Sequence, residues 1–119
     1  MRKQFLGPIL AGLALLVSAQ AQAPASGKAL FERRCGGCHA LDREKEGPRL
    51  GGVYGRTAGT VATFEYSEAL KKSKVVWTKE TLDRWLTDTE KLVPGNDMAF
   101  RVSDPAERAA IIEYLSTLR

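Results

Sequence analysis

Cys35 and Cys38 stand two residues apart, and His39 follows directly; they are the only cysteines and the only histidine in the chain. Two thiols about one helical turn apart can each add to a vinyl group on the same edge of a porphyrin. The adjacent imidazole is then held beneath the iron, where it can be the proximal ligand. Cys-x-x-Cys-His is the spacing of c-type haem attachment. Gly36 and Gly37 add no bulk between the two bonds.

Other chemistries explain these residues less completely. A dithiol redox motif expects a βαβ setting, and the sequence carries no such pattern. A structural zinc site needs four ligands, where this chain offers two cysteines and one histidine. A disulfide across two residues closes almost no loop, adds little stability, and leaves the histidine unexplained.

A haem attached in this way takes a sixth ligand or keeps an open position. Bis-histidine ligation is excluded within one chain. Beyond Met1 the chain has one methionine, Met98. It ends the run Val93-Pro94-Gly95-Asn96-Asp97-Met98, a Pro-Gly turn with polar residues that can bring a side chain to the far side of the ring. Ligation by Met98 raises the reduction potential relative to bis-histidine and leaves no place for a substrate. A one-electron carrier is therefore expected, with no catalytic residue. A haem enzyme or gas sensor, with Met98 displaced or never bound, is an alternative from another class. An electron-accepting subunit tied to one dehydrogenase is a third.

The elements that must position these residues are helical. Lys28 to Gly36 gives a first helix, with Leu30, Phe31 and Arg34 at helical spacing. Residues 40–66 hold Gly47, Pro48, Gly51, Gly52, Gly55 and Gly59 and no regular period, so they form a long structured loop. Wrapping a large flat cofactor is a reason for such a loop. Ser67 to Lys72 gives a short helix. Thr78 caps the next one, whose buried stripe is Leu82, Trp85 and Leu86. The last helix starts at Asp104 with Pro105 at its first position, and Glu107 completes a capping box. Ile111, Leu115 and Leu118 line its buried face, with Tyr114 beside them.

The 119 residues suffice for one modest domain. Residues 1–23 stand apart from it: Arg2 and Lys3, an apolar run from Phe5 to Val17, then small residues ending in Ala21-Gln22-Ala23. This is the layout of a cleaved secretory signal, and the apolar run is short for a membrane span, which takes about 20 residues. Residues 24–119 then form a single domain. Cleavage removes two basic residues and no acidic one, lowering the net charge from +4 to +2. So even a balance gives no support for nucleic-acid binding. A periplasmic monomer with no membrane span after cleavage is expected.

Taken together, residues 26–119 resemble the class I cytochromes c, the mitochondrial-type and bacterial cytochrome c2 branch above all. The resemblance rests on joint order: Gly27 and Phe31, the Cys35–His39 motif, Gly47-Pro48-Arg49-Leu50, Gly55-Arg56, Tyr66, Trp77, Pro94-Gly95 with Met98 and Phe100, and Tyr114. It implies an all-α cytochrome c fold, with crossed N- and C-terminal helices and long loops wrapping one covalent haem c. It implies thioether bonds at Cys35 and Cys38 and axial ligation by His39 and Met98. The Pro48 carbonyl would accept the Nδ1 proton of His39, and Arg56, Tyr66 and Trp77 would serve the haem propionates. Gly27 and Phe31 would meet Ile111 and Tyr114 where the terminal helices cross.

The resemblance also implies redox partner proteins: a donor such as a cytochrome c1-type complex or dehydrogenase, and an acceptor such as a terminal oxidase or reductase. Three departures stand out. The stretch from Ala40 to Glu46 is shorter than in the mitochondrial branch, and Leu70 takes a place often polar. Arg34 and Lys91 keep part of the basic ring of mitochondrial members, whereas Glu90, Asp97 and Asp104 replace positions that are often basic. A mixed docking face follows, with weak long-range steering.

Overall fold

The computed structural model describes residues 3, 4, 7, 8, 12–18 and 25–118. The expected cleavage site after Ala23 lies outside the described residues. Leu13, Leu15, Leu16 and Val17 are each at least 84 % exposed and contribute nothing to a core. Among the described residues, no helix is long and apolar enough to cross a membrane.

Five helices and no strand form among the described residues: α1 Gly27–Arg34, α2 Glu68–Lys72, α3 Lys79–Thr87, α4 Thr89–Leu92 and α5 Pro105–Ser116. Each start has a polar side chain that satisfies an otherwise orphaned amide. Ser26 accepts from Ala29 N, Ser67 from Leu70 N and Thr78 from Thr81 N. Thr81 closes a reciprocal capping box with the Thr78 amide.

At α5 the expected capping box does not form. Asp104 accepts from Ala106 N, while the Glu107 carboxylate turns to α1. Arg34 places Nη2 2.7 Å and Nε 3.0 Å from Glu107 Oε2, and Arg33 Nη2 lies 3.4 Å from Oε1. Two guanidinium groups outcompete one amide for this carboxylate, because both partners are then charged and three N–H···O contacts replace one.

Helices α1 and α5 cross with Phe31 against Tyr114, ring centroids 5.7 Å apart. Helix α3 also packs on α5. The core joins Leu30 and Phe31 of α1, Leu82, Trp85 and Leu86 of α3, and Ile111, Ile112 and Leu115 of α5, all buried. Leu118, expected on the buried face of α5, lies past the helix end but still packs, partly buried, against the core, and its carbonyl accepts Gly52 N at 2.7 Å.

Residues 40–66 form no helix or strand. Their order comes from distant partners: Gly55 N to Trp77 O at 2.6 Å, Trp77 N to Arg56 O at 2.9 Å and Ala58 N to Val75 O at 2.7 Å. These bonds flank an isolated bridge between Thr57 and Val76 and set Arg56 beside Trp77. The short helix α4 was not expected. Asp88 ends α3 in extended geometry (φ −164°, ψ 104°), and its side chain accepts from Lys91 N to start the next turn.

Candidate cofactor site

All eight residues singled out for cofactor binding line one cavity of about 520 Å³: Cys35, Cys38, His39, Pro48, Arg56, Tyr66, Trp77 and Met98. The volume is within the usual range for a small-molecule or cofactor site, about 300–1,000 Å³. Much of the wall is apolar and comes from α3 and α5: Leu82, Trp85 and Leu86, then Ile111 and Leu115. Leu70 also lines it, so an apolar wall stands where the resemblance has a polar one.

The turn after α1 places the motif. Cys35 N bonds Phe31 O at 2.8 Å, and His39 N bonds Cys35 O at 2.9 Å, so the helix gives way to a tight turn with both thiols on the cavity wall. Both cysteines are free, Cys35 buried and Cys38 exposed. Burial pushes the Cys35 thiol up to about 11, against a smaller lowering by Arg34.

His39 is 7 % exposed, and its Nδ1 lies 2.8 Å from the Pro48 carbonyl oxygen. A carbonyl only accepts, so Nδ1 carries the proton. Burial lowers the pKa of the ring, the bond to Pro48 raises it by less, and Lys45 lowers it further. The imidazole is thus neutral, with its lone pair on Nε2. Among the described residues no group bonds Nε2. Gly47 permits this arrangement: a Cβ there would collide with Cε1 and stand 2.7 Å from both ring nitrogens.

The remaining expected residues line the same cavity. Trp77, 6 % exposed, packs against Trp85 with centroids 5.3 Å apart. Tyr66 accepts Val61 N at 3.2 Å, and Arg56 Nη2 donates to Arg49 O at 2.9 Å, so both are partly engaged with the chain itself. Asn96 was missed by the sequence reading. It lines the cavity, accepts Met98 N on Oδ1 at 2.7 Å and donates from Nδ2 to Val93 O at 2.9 Å. An asparagine directly after Pro-Gly is a turn signal that could have identified it.

The set fits a covalently attached haem: two thiols, an imidazole whose Nε2 is not engaged, a thioether and apolar side chains all line one cavity. The comparisons agree. The family model for cytochrome c matches residues 24–119. A cytochrome c from Chlamydomonas reinhardtii is 41 % identical over 107 residues, covering 83 % of this chain and 96 % of that protein. The structure of cytochrome cH from Methylobacterium extorquens superposes with a TM-score of 0.72 at 41 % identity, covering 76 % of this chain and 94 % of that one. A ferricytochrome c2 from Rhodopseudomonas palustris gives 0.73 at 31 % identity, covering 78 % and 96 %. The chain belongs to the cytochrome c family. It is a haem-based electron carrier, not an enzyme, and its single haem c is attached through Cys35 and Cys38.

Proposed function

We propose that His39 and Met98 are the axial ligands, and that the protein shuttles single electrons between redox partner proteins in the periplasm. The observation that carries this reading is the pinned His39 ring: Nδ1–H is committed to Pro48 O, leaving the Nε2 lone pair free in the cavity that Met98 also lines. The bound haem supplies a reversible Fe(III)/Fe(II) couple. The residues around it do the rest. Pro48 fixes the tautomer and increases the basicity of the imidazole. The apolar wall from α3 and α5 excludes water and tunes the potential.

Arg56 is half-buried, and burial lowers its pKa, opposed by Tyr66. It has no ionic partner among the described residues, which supports its serving a haem propionate alongside Tyr66 and Trp77. Residues 1–23 act as the export signal and residues 24–119 as the working domain. The donor is a cytochrome c1-type complex or a dehydrogenase, and the acceptor a terminal oxidase or reductase.

The near-infrared absorbance of the oxidised, haem-loaded protein tests the ligand set. A thioether-to-iron charge-transfer band is expected, and it is expected to vanish in Met98→Ala. A high-spin spectrum in the unmutated protein would move the reading to a haem enzyme or gas sensor.

The docking face carries exposed charges of both signs, Arg34 and Lys91 with Asp97 and Asp104, of which Arg34 and Asp97 also line the cavity. Arg34 is already paired with Glu107. Electron-transfer rates with a natural partner are therefore expected to change only modestly with ionic strength between about 0.01 and 0.15 M. A steep fall of the rate with added salt counts against a mixed face.

A further inference from the structure

Met98 sits in the middle of a run whose amides are held mostly by side chains. Between Gly95 and Phe100, the one backbone–backbone hydrogen bond among the described residues is Asn96 N to Val93 O, at 3.2 Å. Gly95 N donates to both oxygens of Glu90, at 3.0 and 3.2 Å. Met98 N donates to Asn96 Oδ1, and Phe100 N lies 3.4 Å from Thr89 Oγ1. Glu90 and Thr89 both belong to α4, the four-residue helix that no periodicity announced. This helix is therefore where the loop is fastened. In sequence Glu90 reads as a docking charge. In the structure its carboxylate is committed to the chain.

Resting on the ligation reading above, we infer that Glu90 is a positioning residue for Met98: its carboxylate, reaching from α4, holds the Pro94-Gly95 turn and so fixes the loop that carries the sulfur. The reason is energetic. An amide held by a side chain is released by one rotamer change, whereas a helical amide is released only with its neighbours. An ionised acceptor makes the stronger kind of hydrogen bond. Losing it leaves Gly95 N to water and raises the population in which the loop has opened and the sulfur has withdrawn. Asn96 acts on the same loop from within, two residues before Met98.

The test uses the oxidised, haem-loaded protein, titrated with imidazole while the thioether-to-iron band is followed at fixed pH and salt. In Glu90→Ala the imidazole concentration that halves the band is expected to fall about fivefold, the loss of one charge-assisted hydrogen bond on an exposed turn. Glu90→Gln keeps an acceptor oxygen and is expected to stay within about twofold of the unmutated protein. Glu107→Ala is the comparison for general weakening, since it cuts the ties from α1 to α5, and Glu107 makes none of the hydrogen bonds that hold the loop. It is expected to lower the denaturation midpoint without moving the imidazole titration.

The inference is overturned if Glu90→Ala titrates like the unmutated protein or like Glu90→Gln. It is also overturned if Glu107→Ala shifts the titration as much as Glu90→Ala. Absence of the band from the unmutated protein overturns the ligation reading itself, and the inference with it.

Discussion

Replacing Gly47 by alanine is expected to destabilise the haem-loaded protein by about 2–4 kcal/mol and to disturb its iron coordination. The new Cβ would collide with His39 Cε1 and stand 2.7 Å from Nδ1 and Nε2. A lone ring could tilt away, but this ring is anchored by its 2.8 Å bond to Pro48 O. Any tilt that relieves the collision lengthens that bond and turns Nε2 from its present direction. Two costs therefore combine: overpacking of about 1–3 kcal/mol and loss of a hydrogen bond worth about 1 kcal/mol. Denaturant unfolding of the haem-loaded variant, read together with its low-spin absorbance, measures both. An unchanged midpoint and spectrum would show that the ring has room that the geometry denies it.

The second large effect belongs to Gly27, at the crossing of α1 and α5. A Cβ there would strike the carbonyl oxygen of Ala110 and lie 2.9 Å from Tyr114 Cβ. Alanine is the better helix former, by up to about 1 kcal/mol in a helix interior. That gain is smaller at the first position of α1. It is also outweighed, because the obstacle is backbone of α5 and cannot step aside. Pushing the helices apart loosens Phe31 from Tyr114 and Leu30 from the core. Gly27→Ala is expected to cost about 2 kcal/mol and to lower the melting temperature by roughly 8–16 °C in a domain of this size. Thermal unfolding followed by far-ultraviolet circular dichroism checks it. A melting temperature equal to or above that of the unmutated protein would mean that the start of α1 peels away without cost.

The features legible in the sequence share a cause: each depends on residues a few positions apart. The motif from Cys35 to His39, the caps at Thr78 and Asp104, and the stripe of Leu82, Trp85 and Leu86 are all short-range patterns, and each lies where its spacing placed it. Ligand counting brought Met98 in as well, because the composition left so few choices. What stayed hidden was decided by competition over distance. Glu107 has an amide within reach three residues back, yet it binds two arginines more than 70 residues away. Helix α4 is too short for a period, and its cap, Asp88, is also the end of α3. Glu90 and Asn96 form local bonds, but their value lies in what the loop carries, and spacing alone does not report that.

The crossing of α1 and α5 has a further consequence for how the domain assembles. Residues 27–34 find their principal helical partner in residues 105–116, so the chain must close on almost its full length before Phe31 is covered. Gly52, bonded to Leu118, is in the same position. Closing so long a loop costs entropy before any contact compensates for it, and contacts of this range slow folding. No N-terminal fragment can bury the first helix by itself. A chain cut before residue 105 would therefore lack the helix that covers Phe31, one turn ahead of the two thiols.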